Sequence, residues 1–160
     1  TDAGAAVRAA LDELGATYEE ARPGAYLVTL EGTHRLATPT WLGHMSSVTQ
    51  RVLERLDAEI SETDDAGRPG MLGKVAMCGV VGNEDGAHKI IADVFGALND
   101  IGFTIPGQGN TYWNDEAMGG RDYKDLDSVP DPVDSATHAA ARNAAHLARL
   151  LSQNSFPPYE

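Results

Sequence analysis

The sequence predicts an α/β fold built on a parallel sheet, with a helix and antiparallel strands at its N-terminal end. The first observation is a nearly unbroken apolar run, Lys74 to Val81, typical of a strand covered on both faces. The second is a pair of strand-turn-helix corners, at residues 38–47 and 82–88. The carboxyl ends of parallel strands meet at one edge, so these corners are expected to form a ligand-binding crevice.

Composition restricts the possible partners. The chain has 160 residues, 42% hydrophobic and 22% charged, which is ordinary for a globular domain. Its formal net charge of −12 argues against nucleic acid or an anionic membrane surface as partner, because both would repel it. The single cysteine, Cys78, and the lack of a long apolar run or signal peptide predict a soluble cytoplasmic protein.

Residues 1–37 differ in style from the remainder of the chain. Apolar residues at helical spacing predict a helix over residues 3–14. A Pro-Gly turn then leads into a strand at Ala25–Leu30, followed by a short extended segment that ends at Ala37. This pattern predicts a helix and an antiparallel hairpin.

The remainder of the chain alternates helices and strands. A helix follows Ser47, with an apolar period that reaches Ile60 and capping-box spacing between Ser47 and Gln50. After the second corner, a helix ends at Gly102, and residues 103–105 predict a short strand halted by a proline. Residues 107–131 read as a long loop before the last helix. The predicted packing faces of these two helices are Ile90, Ile91, Val94, Phe95, Leu98 and Ile101, and Ala140, Ala144, Leu147 and Leu151.

The residue types at the two corners suit a flat heterocyclic ligand. Trp41 offers a large planar surface, while Pro39 stiffens the first turn and Gly43 permits a tight bend. The second corner supplies donors and acceptors for a polar ring edge. These are Asn83, Glu84, Asp85 and His88, with Tyr112 and Trp113 of the long loop able to cover the crevice.

Each of these features also has an ordinary structural explanation. A tryptophan in a turn often serves only packing, and the sequence Asn-Glu-Asp-Gly is common loop chemistry. His138 and His146, with Arg142 between them, do not predict a metal site, and no nucleophile-base pair suggests a hydrolase. The residues alone therefore predict an α/β ligand-binding domain.

Residues 38–47 and the helix after them resemble the second flavin loop of flavodoxin-like NAD(P)H-dependent FMN reductases. Residues 73–88 are similar to the third flavin loop of that family. The similarity continues through 97–106, 111–123 and 143–148, and extends from about residue 38 to residue 152. This resemblance implies a flavodoxin-like doubly wound sheet with FMN at the strand ends.

The resemblance also implies a function. Hydride would pass from NAD(P)H through FMN to a quinone or another small-molecule electron acceptor, with no catalytic side chain and no metal. By their positions in the matching loops of that family, five residues would hold the isoalloxazine and ribityl parts of FMN. Five others would lie along the edge of the ring, and one would lie beside the ring. These are Pro39, Thr40, Trp41, Leu42 and Gly43, then Gly82, Asn83, Glu84, Asp85 and Gly86, then His88.

Residues 1–37 replace the first strands and the Ser/Thr-rich phosphate loop of that family with unrelated sequence. We therefore expect impaired flavin binding and a division into residues 1–37 and 38–160. We expect Ala25–Leu30 to cover the sheet edge left open, within the chain or across a homo-oligomer such as a dimer. The predicted N-terminal helix would pack on the sheet face. The alternative is a non-enzymatic recombined or remnant flavodoxin-like domain that acts in folding or protein association.

Overall fold

The structure is a computed structural model that describes residues 17–22, 25–30 and 33–159. The helix predicted over residues 3–14 lies outside these ranges. The strands are β1 (Thr17–Arg22), β2 (Ala25–Leu30), β3 (Thr33–Trp41), β4 (His44–Met45), β5 (Val75–Val81) and β6 (Asn110–Trp113). The α-helices are α1 (Ser47–Leu56), α2 (Ala87–Asp100) and α3 (Asp131–Gln153), with short 3-10 helices at Asp57–Ser61 and Tyr123–Asp125.

The described strands form one mixed sheet in the order β1-β2-β3-β5-β6, with β4 paired to β3. Strands β3, β5 and β6 are parallel, whereas β1 and β2 run antiparallel to their neighbours. Strand β2 lies beside β3 within the chain, from Tyr26 opposite Ala37 to Leu30 opposite Thr33. It therefore occupies the edge of β3 that the resemblance leaves open. The division of the chain at residue 38 stays a prediction.

Strand β5 is covered on both faces, as its apolar run predicts. On one face Ala76, Cys78 and Val80 belong to a core with residues of α1 and α2. On the other face Val75 and Met77 pack against α3, where Ala140 and Ala144 are buried. The alternation of side chains along a strand sends successive residues to opposite faces, so an apolar strand in this position needs helices on both sides.

The predicted packing faces of the two long helices are confirmed. In α2 the buried residues are Ala87, Ile90, Ile91, Val94 and Leu98, with Phe95 partly buried against the same core. Leu147 and Leu151 of α3 pack beside its two buried alanines. Among the described helices, none has the length and apolarity needed to cross a membrane.

The strand predicted at residues 103–105 is wrong in position. Only Thr104 makes an isolated bridge, to Val75, and the regular strand β6 lies within the segment predicted as a loop. Pro106 has no N–H for a ladder and starts a tight turn, closed by a hydrogen bond from Gly109 N to Pro106 O. Cys78 N then donates to Gly109 O, and pairing resumes as β6.

Helix α1 starts and stops differently from its prediction. Its N-cap is Ser46, whose hydroxyl accepts a hydrogen bond from Thr49 N at 3.1 Å, so the predicted Ser47–Gln50 capping pair is wrong. Ser46 has extended geometry because its own N–H is bound to Thr38 Oγ1 at 3.0 Å. The helix ends at Leu56, and Ile60 in the 3-10 turn beyond it is 41% exposed.

The environment of Cys78 predicts an unreactive thiol. Burial among apolar side chains raises the pKa of Cys78 to about 12, so almost no thiolate forms at neutral pH. We expect a thiol reagent at pH 8 to modify the folded protein at least about 100-fold more slowly than the urea-unfolded chain. Absorbance of the released chromophore measures both rates. Because the sequence has one cysteine, the signal has a single source, and fast modification of the folded protein would contradict the burial.

Candidate functional site

The first corner is a short hairpin at the end of β3. The prediction of a turn from Thr38 onward is wrong, since β3 continues to Trp41 and pairs with β5 as far as Pro39 opposite Val81. The chain reverses only at Leu42 and Gly43, and Trp41 then pairs with His44 of β4. Pairing with β5 therefore keeps the chain extended beyond Thr38, although the residues from Thr38 onward are of types that favour turns.

Both residues of this hairpin turn have positive φ, 52° at Leu42 and 73° at Gly43. This is the geometry of a two-residue type I′ turn, which glycine adopts freely and leucine does not. The second corner supports the strained residue, because the N–H of Leu42 donates to Glu84 Oε2 at 2.6 Å. The side chain of Leu42 is 89% exposed, so it is the backbone of this residue that the fold holds in place.

The second corner follows β5 and is tied to the long loop. Gly82 N donates to Trp113 O at 3.0 Å, and Asn83 O accepts from Met118 N at 2.9 Å. The amide nitrogen of the Asn83 side chain donates to Asp122 Oδ1 at 3.0 Å. These bonds fix Asn83 against the loop after β6.

Close backbone approaches join the two corners. Gly86, with φ of 108°, precedes α2, and a Cβ on it would lie 2.7 Å from Gly43 Cα. A Cβ on Gly82 would lie 2.9 Å from Thr40 Cβ. Only glycine fits at such distances. The structure therefore brings together, at one edge of the sheet, the two groups of residues predicted to bind a cofactor.

This edge carries a concentration of exposed apolar side chains. Four of the eight large hydrophobic residues exposed in the described part of the chain belong to the corners or the loop beside them. They are Trp41 (61% exposed), Leu42 (89%), Tyr112 (37%) and Met118 (83%). The ring of Tyr112 lies edge-on to His88, with 4.9 Å between centroids. Clustered exposed apolar surface marks ligand or partner sites. Met118 escaped sequence reasoning because nothing distinguishes one methionine within a long loop.

Trp113 does not cover the crevice. It is 6% exposed and packs edge-on against Tyr123, with 5.3 Å between ring centroids. The reason is the pairing of β6 with β5, which turns neighbouring residues to opposite faces of the sheet. Tyr112 is consequently the aromatic residue of this pair that lies beside the second corner.

Thr40 has an unsatisfied hydroxyl group. Its residue is 5% exposed, and Oγ1 is buried with no hydrogen-bond partner. A buried polar atom without a partner costs about 1–3 kcal/mol, and native proteins retain few of them. The atom lies against Gly82, between the two corners. A ligand atom that hydrogen-bonds to it would satisfy this group, so the residues at this edge fit the polar part of a ring system.

Charges at the same edge are mostly acidic. Glu84 and Asp85 precede α2, whose N-cap, Gly86, makes no side-chain capping bond. Lys89 is engaged with Asp93 Oδ2 at 2.5 Å and lies 3.3 Å from His44 Nδ1. These carboxylates weaken the positive potential that a helix N-terminus offers an anion. Within the described ranges, no group of three or more His, Cys, Asp or Glu side chains is placed to hold a metal ion.

An apolar cavity lies at the opposite end of the parallel strands. Its volume is about 190 Å³, and it is lined by His34, Leu36, Leu56, Met71, Ala76, Leu98 and Phe103. Burial, and then the charge of Lys74, lower the pKa of His34, which favours the neutral imidazole. The cavity lies near the first residues of β3 and β5, whereas the two corners follow their last residues. It is therefore separate from the candidate site.

No protein family profile matches the chain. The chain is 34% identical over 145 residues to the divalent metal cation transporter MntH of Mycobacterium bovis, covering 89% of this chain and 20% of the transporter. Residues 38–160 make up less than 89% of the chain, so the match to MntH also includes part of residues 1–37.

The name of a second relative includes a flavin compound. The chain is 28% identical over 124 residues to 8-demethyl-8-aminoriboflavin-5′-phosphate synthase of Streptomyces davaonensis, covering 76% of this chain and 48% of the synthase. The chain thus spans less than half the length of either curated relative.

The crystal structure of RosB with the bound intermediate 8-demethyl-8-formylriboflavin-5′-phosphate is also similar. The TM-score is 0.69 at 27% identity, over 76% of this chain and 50% of the RosB chain. The chain therefore has an incomplete flavodoxin-like α/β fold, extended by antiparallel strands, and its neighbours in sequence and structure include a flavin-related synthase of that fold.

Proposed function

We propose that the chain is an FMN-dependent oxidoreductase that passes hydride from NAD(P)H to a quinone or another small acceptor. The observation that carries the proposal is the contact between the two corners, from Leu42 N–H to Glu84 and from Gly43 to Gly86, beside exposed Trp41. The flavin phosphates named for the synthase and for RosB support a flavin as the ligand of this edge.

In this proposal the chain binds and orients the flavin. The ring would lie across the carboxyl end of β3, where Trp41 packs against its flat face and the Thr40 hydroxyl, on the other side of the strand, hydrogen-bonds to a polar ring atom. Glu84 keeps the hairpin closed through the N–H of Leu42. Tyr112 and His88 border the ring on the side of α2. The flavin itself would supply the hydride chemistry, so no catalytic side chain is required.

A flavin titration tests the proposal. We expect FMN fluorescence to be quenched with saturation when the purified chain is added, and NADH or NADPH to be oxidised in the presence of FMN and a quinone. Failure to bind FMN at 100 μM, roughly −5.5 kcal/mol, would overturn the proposal. That result would favour the non-enzymatic alternative, in which the domain acts in folding or protein association.

A second candidate function treats the flavin as a substrate. The relative from Streptomyces davaonensis is named a synthase of a modified riboflavin phosphate, and RosB was solved with a flavin intermediate bound. The mass of the flavin after turnover separates the two candidates. An unchanged mass supports a redox cofactor, and an altered mass supports a flavin-modifying enzyme. The match covers only 20% of MntH, so it does not support metal transport as a function of this chain.

We further propose a homo-oligomer in a reducing cytoplasm, since β1 ends the sheet order as an edge strand and Cys78 is a free thiol. Light scattering coupled to size exclusion measures the mass directly. A mass of 17.0 kDa at micromolar concentration would contradict the oligomer.

Trp41→Ala is expected to weaken FMN binding about 10-fold or more, because stacking on an aromatic side chain contributes about 1–3 kcal/mol. The unfolding free energy should change by less than about 0.5 kcal/mol, since the side chain is 61% exposed. Leu150→Ala on α3, also exposed, is the matched control and should leave FMN binding unchanged. Equal affinities of Trp41→Ala and the unsubstituted chain would place the ring elsewhere.

A further inference from the structure

Leu42 and Met118 are exposed apolar residues in left-handed backbone. The φ angle is 52° at Leu42 and 67° at Met118, a region that residues with a Cβ seldom adopt. Their side chains are 89% and 83% exposed, the two largest fractions among the exposed large hydrophobic residues of the described chain. Strained backbone of this kind persists only where surrounding contacts hold it, and it is concentrated at ligand sites.

One short turn holds both of these residues. The N–H of Leu42 donates to Glu84 Oε2 at 2.6 Å. The N–H of Met118 donates to Asn83 O at 2.9 Å. Asn83 and Glu84 are consecutive residues of the second corner, so that corner anchors both exposed side chains although they are distant in sequence. Trp41, the residue before Leu42, is 61% exposed, and the apolar surface is therefore continuous with the candidate flavin site.

Contacts within the loop also fix the position of Met118. The guanidinium of Arg121 donates to Asp115 Oδ2 at 2.9 Å and to Asp115 Oδ1 at 2.6 Å. Gly119 N donates to Glu116 O at 2.8 Å, which closes the turn that contains Met118. A loop held in this way loses little conformational entropy when a ligand binds, so more of the contact energy appears as affinity.

The surroundings of the two apolar side chains are acidic. Glu84 and Asp85 belong to the second corner, and Glu116 lies two residues before Met118. The ion pairs of the described residues include none of these three carboxylates. Their negative charge repels an anion and has little effect on an uncharged molecule. Apolar side chains in acidic surroundings therefore favour an uncharged apolar ligand over an anionic one.

We propose that Leu42 and Met118 bind the electron acceptor of the proposed oxidoreductase, and that this acceptor is an uncharged aromatic compound such as a naphthoquinone. The inference rests on the proposed flavin function and assigns the acceptor class that this function leaves open. Contact with the two side chains removes apolar surface of the acceptor from water. The flexible thioether of Met118 adapts to rings of different shape, and the three carboxylates select against anionic acceptors.

Menadione and a sulfonated naphthoquinone test this selection, because they share a ring system and differ in charge. Equilibrium dialysis against the FMN-loaded chain measures their affinities without turnover. We expect menadione to bind about 10-fold more tightly than the sulfonate, and high salt to reduce this preference by screening the carboxylates. Glu116→Gln should also reduce the preference, by tighter binding of the sulfonate. Equal affinities for the two quinones in the unsubstituted chain would overturn the inference.

Met118→Asn separates binding by the side chain from an effect on the fold. Asparagine tolerates left-handed backbone better than methionine, so the urea midpoint should stay the same or rise. Menadione binding should weaken about 10-fold, whereas FMN affinity should change by less than about 2-fold. Met118→Leu should retain menadione binding. Leu150→Asn, an exposed apolar position on α3, is the matched control and should leave menadione binding unchanged.

Leu42→Asn tests the other apolar residue. The substitution gives the hairpin turn an Asn-Gly pair, the preferred sequence for its type, so the urea midpoint should rise. Menadione binding should weaken about 10-fold, as in Met118→Asn. Unchanged menadione binding in both variants would overturn the inference. A lower urea midpoint in both would show that the two side chains already pack within the fold, and the inference would be wrong.

The inference and the proposed flavin function fail in different ways. If FMN binds but Met118→Asn and Leu42→Asn leave menadione affinity unchanged, the flavin function stands and the inference is overturned. If FMN does not bind, dialysis of menadione against the flavin-free chain decides the apolar subsite. Menadione binding that is lost in Met118→Asn would then support the subsite while the flavin function fails. Absence of menadione binding to either form of the chain would overturn the inference.

Discussion

Gly86→Ala is expected to destabilise the folded chain by about 3 kcal/mol and to abolish measurable flavin binding. The new Cβ would lie 2.7 Å from Gly43 Cα and 3.0 Å from Gly43 O, both backbone atoms that cannot rotate away. Alanine would also have to adopt a φ of 108°. Overpacking and left-handed strain cost about 1–3 and 1–2 kcal/mol, respectively. Urea unfolding measures the loss, and separation of the hairpin from the second corner explains the effect on binding.

Gly96→Ala provides the matched control for this result. Gly96 lies in the same helix, α2, and a Cβ on it would meet nothing within 4 Å. Alanine within an exposed helical segment is favoured over glycine by about 0.5–1 kcal/mol, so this variant should be slightly more stable and bind flavin normally. Equal stability of the two variants would show that the corners are not in contact.

Thr40→Val is expected to stabilise the ligand-free chain by about 1–3 kcal/mol and to weaken flavin binding about 10-fold. Valine has nearly the same shape as threonine and removes a buried hydroxyl that has no partner. If the flavin supplies the missing partner, the substitution loses that hydrogen bond only in the complex. A substitution that raises the unfolding free energy but weakens FMN binding therefore indicates a hydroxyl that binds the ligand. Urea unfolding measures the first quantity and FMN titration measures the second.

Thr49→Val is the control, because Thr49 is equally buried but its hydroxyl lies 3.0 Å from Ser46 Oγ in a hydrogen bond. This substitution should lower the unfolding free energy by about 1 kcal/mol and leave flavin affinity unchanged. If Thr40→Val and Thr49→Val lower stability alike, the hydroxyl of Thr40 has a structural partner and its proposed role is contradicted.

Sequence patterns predicted the structure best for helices and strands whose buried face follows from their own residue pattern. The apolar run of β5 and the helical periods of α2 and α3 identified the core faces, since buried side chains must recur with the period of the element. Patterns failed where contacts from elsewhere compete with local composition. The last strand could not continue through Pro106 and formed instead within the segment predicted as a loop. Pairing with β5 extended β3 through residues that were predicted to form a turn.

The candidate site shows the same distinction. Motif resemblance identified the residues of both corners, but their spacing along the chain does not report the 2.6 Å bond from Leu42 N–H to Glu84. Nor does it show the unsatisfied hydroxyl of Thr40 or the unsatisfied Nε of Arg35, because hydrogen-bond satisfaction depends on residues distant in sequence.

By itself, the sequence determined that this is an acidic α/β chain with two flavin-loop-like corners and an N-terminal region of a different kind. The tertiary structure decided that β2 covers the edge of β3 and that the corners meet glycine against glycine. Side-chain periodicity is a local property readable from order alone, whereas edge pairing, close backbone approach and charge compensation arise only when distant segments pack together.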